Sequence, residues 1–395
     1  MSDGHSQVSL LTAGRDRPYA LGLAAALAAA GVPFDFVGSN EVDSPELHTL
    51  PQIRFLNLRG EQSVNAGALK KISRVLFYYF RLIAYAATAR PKIFHILWNN
   101  KFEAFDRTLL MLYYKLLGKK IVFTIHNVNI RARDGGDSWF NRATLKFQYH
   151  QCDHIFTHTE KMKAELVAQF DVAENKATVI PFGLNSTVPD TALTPVDARQ
   201  RLGLKSDEKV ILFFGNIAPY KGVEYLVEAF LEIASRDPSC RLIIAGRPKG
   251  NEVYWAEILA KINATPVREK CLLRIEFVPD AETEIYFKAA DVLVLPYTHI
   301  FQSGVLFLGY NFGLPVIAAD VGSLKDEIVP GRTGHVFPEK DSVVLAKTIE
   351  NYFAGDLFRN LSHRRADIRQ YANDRYSWTK VGMITKEVYS QLIKY

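Results

Sequence analysis

The chain is constrained most by an alternation that runs, stops and starts again. In the first half, short apolar runs begin at Val8 (VSLLTAG), Phe34 (FDFVGS), Ile53 (IRFLNL), Ile93 (IFHILW), Lys120 (KIVFTIHN), His154 (HIFTHT) and Ala177 (ATVIPFG). In the second half they begin at Lys209 (KVILFFGN), Cys240 (CRLIIAGR), Arg274 (RIEFVP), Val292 (VLVLPY) and Pro315 (PVIAAD). Within a run the apolar residues are continuous rather than alternating, as in parallel strands covered on both faces. Helical patterns separate the runs, for example Tyr19 to Ala30, Leu109 to Leu117, Val223 to Ala234 and Glu282 to Ala289. The interruption, GLNSTVPDTALTPVDARQ, has the composition of a linker. The pattern predicts two doubly wound α/β domains, 1–185 and 186–375, joined near Gly183 to Thr194. A last helix is expected over 376–395, in YSWTKVGMITKEVYSQLIKY.

At 395 residues, 48% hydrophobic and 23% charged, the chain has material for two full cores. Cys152, Cys240 and Cys271 are odd in number and lack metal-ligand spacing, so a reducing compartment is expected rather than a disulfide framework. The first residues, MSDGHSQVSLL, do not resemble a secretory signal, and no apolar run approaches the roughly 20 residues that span a bilayer. The expectation is a cytoplasmic protein, or one held only at the inner face of the cytoplasmic membrane.

The net charge of +6 favours anionic partners, but no nucleic-acid reader motif accompanies it. Leu69 to Lys92 holds six basic residues, no acidic one, three tyrosines and two phenylalanines. As a helix it could lie on an anionic membrane surface. It could equally bury one face in the first domain and leave the basic residues in water.

Ligands of doubly wound sheets bind beyond the carboxyl ends of the strands. In FFGNIAPYKGVEYLVEAF a strand ends at Gly215, a helix starts near Gly222, and Lys221 stands just before it. Helix N-termini favour anions, and Lys221 would add a full positive charge; a solvated lysine on a connection is the alternative. SGVLFLGYNFGLP repeats the arrangement, with Ser303 expected to cap the helix and Gly304 able to admit a ligand close to the backbone. Taken alone it reads equally as a capped core helix. Two such corners in one domain point to a diphosphate.

The ordered segments GNIAPYKGVEYLVEAF, FVPDAETEIYFKAADVLVLPY, SGVLFLGYNFGLPVIAADVGSLKDEIVPGRTGHVF and VIPFGLN resemble the nucleotide-sugar domain of glycosyltransferase family 4. LTAGRDRPYALGLAAALAAAGV, FTIHNV and FTHTEKMKAEL extend the resemblance into the first half. It implies a GT-B fold, with two Rossmann-like domains facing across a cleft, the first for acceptor and the second for donor. It also implies retaining transfer from a UDP- or GDP-linked sugar to a glycan or lipid-linked acceptor, in bacterial-type polysaccharide or glycoconjugate synthesis, with no further cofactor. The last helix is expected to cross back onto the first domain.

By the same resemblance, Lys221 neutralises the donor diphosphate, and the amides of Ser303, Gly304 and Val305 meet phosphate and sugar. Val278 and Pro279 hold the base, His126 lies by the transferred sugar, and Gly14 lies near the donor phosphate. His126 and Lys221 are the expected catalytic residues, whereas His95 and His158 read as structural. Arg15 replaces a second glycine, and Asn216 replaces the arginine that usually follows the strand glycine, here Gly215. The two glutamates of the family's E-x7-E pattern fall near Ile300 and Leu308, neither acidic, in a variant with QSGV at the first glutamate. Gln302 is the expected substitute. The chain has no Asp-x-Asp pair, so no metal bridging the diphosphate is expected. The missing glutamates also admit a non-catalytic nucleotide-sugar-binding protein. Another GT-B enzyme, such as an epimerase or a phosphorylase, is a further alternative.

Overall fold

The apolar runs of the first half become seven parallel strands: β1 Val8–Leu11, β2 Phe34–Gly38, β3 Ile53–Asn57, β4 Ile93–Ile96, β5 Lys120–Thr124, β6 His154–Thr157 and β7 Ala177–Val179. Their order is β3-β2-β1-β4-β5-β6-β7. Every residue of β1, β4 and β6 is buried, as continuous apolar runs require. The second half adds β8 Lys209–Phe214, β9 Cys240–Ala245, β10 Cys271–Arg274, β11 Val292–Leu295, β12 Val316–Ala319 and β13 Gly334–Phe337, in the order β10-β9-β8-β11-β12-β13. This computed structural model describes residues 6–62, 67–133, 135–185, 187–248 and 250–394. They form two units, Met1–Gly183 with Tyr376–Tyr395, and Leu184–Arg375.

Two strands depart from the expectation. β10 ends at Arg274, where the expected strand begins, because Arg274 pairs with Ala245, the last residue of β9. Ile275 to Pro279 therefore leave the sheet as a loop. β13 was not foreseen. Its sequence, GHVF, is not a continuous apolar run, and its Gly334 sits at φ +154°, where an added Cβ would lie 1.8 Å from the Val316 carbonyl oxygen.

The helix Trp378–Lys394 packs in the first unit, against the helix Arg17–Ala29. Small residues set the approach: an added Cβ on Gly382 would come within 2.6 Å of the Ala26 carbonyl oxygen. An added Cβ on Gly22 or Gly183 would strike the Trp378 indole, at 2.1 and 2.5 Å. His95 on β4 bonds Tyr389 of this helix and, at 2.7 Å, Thr124 of β5, so His95 ties the helix to the sheet. In the second unit the linker-like residues are pinned. Thr191 donates to the Glu284 carboxylate, and the Lys288 ammonium donates to the Thr191 carbonyl at 2.6 Å.

Candidate active site

In each unit the strand order reverses direction once, at β1/β4 and at β8/β11. The loops after those strands carry most of the expected site residues, as the switch-point rule requires.

In the second unit, β8 ends at Phe214, and Gly215 follows it with a φ of +115°, which glycine adopts readily; an added Cβ there would lie 3.5 Å from a methyl of Val305. The chain continues through exposed Asn216 to the short turn Pro219–Lys221. Gly222 then takes φ +61°, where a Cβ would meet the Pro296 carbonyl oxygen at 2.0 Å. That approach sets Lys221 beside the segment following β11. Lys221 is 7% exposed, and its ammonium lies 3.7 Å from the centre of the Tyr297 ring. The Tyr297 hydroxyl is in turn 3.3 Å from the buried Ser303 hydroxyl. Lys221, Ser303, Gly215 and Val305 thus gather at the carboxyl ends of β8 and β11. Val278 and Pro279 stand apart from this chain of contacts, in the loop that follows β10.

One local expectation is corrected. Ser303 does not cap the helix Gly304–Asn311 with its side chain, because its hydroxyl faces Tyr297. At the helix Val223–Arg236, the first N–H donates to Tyr254 Oη at 3.1 Å, and Tyr254 also bonds Glu224. At the positions of the absent glutamates, Leu308 is buried in the core. Beside them, Gln302 Oε1 is buried without a hydrogen-bond partner among the described residues.

In the first unit, the loop after β1 is strained: Ala13, Gly14 and Asp16 all have positive φ, of 51°, 62° and 45°. Gln62 clamps it by donating to the Gly14 carbonyl at 2.8 Å, and a Cβ on Gly14 would lie 2.5 Å from the same Gln62 nitrogen. Arg15 is exposed and reaches the Asn100 carbonyl at 3.4 Å. His126 follows β5 in an aromatic setting. Trp98 stacks on it at 4.3 Å with parallel planes, 1° apart, and Tyr19 meets it edge-on at 4.6 Å. Its Nδ1 lies 3.1 Å from Nε2 of His158.

Trp98, Tyr19, Tyr297 and His158 were not assigned to the site from sequence. The register was the available signal for His158. Thr124 pairs with Phe156, so two residues on, His126 and His158 leave adjacent strands side by side.

Burial keeps these histidines neutral, lowering His95 to about 3 and His158 to about 4, whereas an unfolded histidine titrates near 6.5. The unfolded chain therefore binds more protons than the folded one below about pH 6.5. Stability is full above that pH and is lost as pH falls toward the folded values. Each such group removes about 1 kcal/mol between pH 6.5 and 5.5, and about 1.4 kcal/mol per pH unit below that. Urea midpoints followed by tryptophan fluorescence should thus drop by the equivalent of at least about 2 kcal/mol between pH 6.5 and 5.5. A flat profile would contradict the neutral burial of His95 and His158.

Both units match models of known protein families. Residues 18–188 match the model described as Glycosyltransferase Family 4, and residues 208–354 match Glycosyl transferases group 1. The chain is a glycosyltransferase of GT-B architecture, a transferase of the EC 2.4 type. It is 27% identical over 274 residues to an uncharacterized glycosyltransferase of Methanocaldococcus jannaschii, covering 68% of each chain. It is 28% identical over 247 residues to the D-inositol 3-phosphate glycosyltransferase of Streptomyces bingchenggensis, covering 61% of this chain and 53% of that one. Among solved structures, the sucrose-phosphate synthase from Thermosynechococcus elongatus superimposes with a TM-score of 0.78 at 20% identity, over 98% of this chain and 99% of the other. Anabaena HepE in complex with UDP-glucose superimposes with a TM-score of 0.74 at 14% identity, over 97% and 99%. These structural likenesses define the fold.

Proposed function

We propose that the chain is a retaining glycosyltransferase that moves a sugar from a UDP- or GDP-linked donor to a glycan or lipid-linked acceptor, in bacterial-type polysaccharide or glycoconjugate synthesis. The observation that carries this reading is the cluster at the β8/β11 switch point, with buried Lys221 on the Tyr297 ring beside Ser303. In this reading the second unit takes the donor and the first takes the acceptor. The sugar–phosphate bond breaks, and negative charge grows on the departing diphosphate. Lys221 and the amides of Ser303, Gly304 and Val305 stabilise it, each by roughly 3 kcal/mol. The acceptor hydroxyl attacks from the face the phosphate leaves, and a phosphate oxygen takes its proton.

Val278 and Pro279 hold the base, while Gly14 and Arg15 lie by the phosphates. Gln302 Oε1 accepts from a sugar hydroxyl in place of a glutamate. His126 orients the transferred sugar. The absence of an Asp-x-Asp pair supports a metal-independent reaction.

A panel of nucleotide sugars tests the reading. A donor at 100 times its dissociation constant adds about 2.7 kcal/mol to stability, which a thermal shift detects. UDP-glucose is the first to try, since HepE is described with it. The donor that binds should be consumed, by transfer or slow hydrolysis, with EDTA present. Binding without turnover would instead favour the non-catalytic sensor, for which Ile300 and Leu308 are the motive. Loss of turnover in EDTA would sink the metal-free route.

We also propose contact with an anionic membrane through the helix Ala68–Thr88. It buries Tyr78, Tyr79, Leu82 and Ala86, yet its outer face exposes Leu69, Ile72, Leu76, Phe77 and Phe80 among its lysines and arginines. No described helix is long and apolar enough to cross a membrane, so this contact is at the surface, at the inner face of a cytoplasmic membrane. Phosphatidylcholine vesicles should sediment the protein only when phosphatidylserine is included, and Phe77→Ser with Phe80→Ser should weaken binding at least tenfold. No sedimentation at low salt would remove the idea.

A further inference from the structure

His158 was read from sequence as a structural histidine, and its geometry gives it more to do. Its Nδ1 lies 3.3 Å from the Ile180 carbonyl oxygen. A carbonyl only accepts, so in the neutral ring Nδ1 carries the proton and Nε2 carries the lone pair. That lone pair faces Nδ1 of His126 at 3.1 Å, so His126 must donate from Nδ1. The one lone pair left on the His126 ring is then at Nε2. Nε2 is buried and has no hydrogen-bond partner among the described residues. Trp98 stacks on one face of the ring and Tyr19 meets it edge-on, which holds its plane.

We infer that His158 is a positioning residue that locks His126 in its Nδ1–H tautomer, so that Nε2 serves as an acceptor for a hydroxyl of the transferred sugar. Burial keeps both rings neutral near pH 7, His158 being lowered to about 4 and His126 lowered well below its ordinary value, by desolvation first. The relay runs Ile180 carbonyl, His158, His126, substrate hydroxyl, with each group donating toward Ile180. It discriminates by chemistry: an O–H can satisfy Nε2, whereas a carboxylate or other acceptor placed there cannot. This rests on the proposed role of His126 beside the sugar, but the tautomer itself does not.

The test therefore has two separate readouts. The first needs no substrate. In full-length protein labelled with 15N-histidine, with resonances assigned through His126→Gln and His158→Gln, the His126 Nε2 signal at pH 7.5 should be that of a bare nitrogen and Nδ1 that of an N–H. His158→Phe, which removes the acceptor at similar volume, should give a mixture of tautomers. His158→Gln, whose amide oxygen can stand near the former Nε2, should restore the Nδ1–H form. A protonated Nε2 in the wild-type protein overturns the inference, even if His158→Phe fails to fold.

The second readout is kinetic, with UDP-glucose as probe. His158→Phe should lower kcat about tenfold with little change in KM, and His158→Gln should stay within about threefold of wild type. Equal rates for His158→Phe and wild type would overturn the positioning role. If the tautomer is as stated but His126→Ala turns over normally, the fault lies with His126 as the sugar contact and not with the pairing.

Discussion

Lys221→Ala should lower kcat/KM for the nucleotide sugar by roughly 10²–10³ while leaving the fold intact. The size follows from where the charge sits. A lysine that is 7% exposed, with its ammonium on the Tyr297 ring, is screened far less than a surface lysine. It is also held in place before the diphosphate departs, so little reorganisation is needed at the moment of bond breaking. A purely structural lysine behaves differently, since replacing it disturbs stability and activity together. Removing a buried charge can even stabilise a protein, so an unchanged or raised melting temperature with lost turnover identifies a chemical role. Tyr297→Leu, which removes the ring under the ammonium, should cost a smaller factor, about three- to tenfold. Near-normal turnover of a folded Lys221→Ala protein would sink the diphosphate assignment.

Gly246→Ala should be among the most damaging single-methyl changes in the second unit, costing about 3–5 kcal/mol. Gly246 follows β9 with φ +147°, and an added Cβ would lie 1.8 Å from the Gly215 carbonyl oxygen. Neither neighbour can yield easily. The Gly215 N–H donates to the Ala245 carbonyl at 2.9 Å, and the Gly246 N–H donates to the Arg274 carbonyl at 2.9 Å. The methyl would therefore push apart three strand ends at once and displace Gly215 from Val305. Gly203 is the control. It also has positive φ, +69°, but nothing lies within 4 Å of its added Cβ. Gly203→Ala should cost only about 1 kcal/mol. Chemical denaturation of both variants, with donor binding by thermal shift, checks the pair; similar midpoints would refute the crowding argument.

The sheet-forming runs were legible because strands covered on both faces leave a continuous apolar trace, and helices between them force parallel pairing. β13 escaped notice because GHVF leaves no such trace. β10 was placed late because its end is set by where β9 stops, a fact about a partner strand. At the site, Lys221 and Ser303 could be picked out singly from their corners. What joins them, Tyr297, could not, because the contact depends on β8 and β11 being neighbours across 77 residues of intervening chain. Ser303 looked like a helix cap because local chemistry allows it, and a tertiary partner took its hydroxyl instead. His126 stood out only through family resemblance. His158 required knowing that β5 and β6 adjoin in register.

The placement of Trp378–Lys394 in the first unit has a consequence for biosynthesis. Translation delivers the first seven strands early, but the surface around Gly22 and Gly183 stays unfilled until Trp378 has emerged. The second unit, continuous from Leu184 to Arg375, is made in full before that. A nascent chain thus carries its second unit complete while the unit begun first still exposes an apolar seat. The half of the protein that starts first is the half that finishes last, and that interval is when it depends most on protection from aggregation.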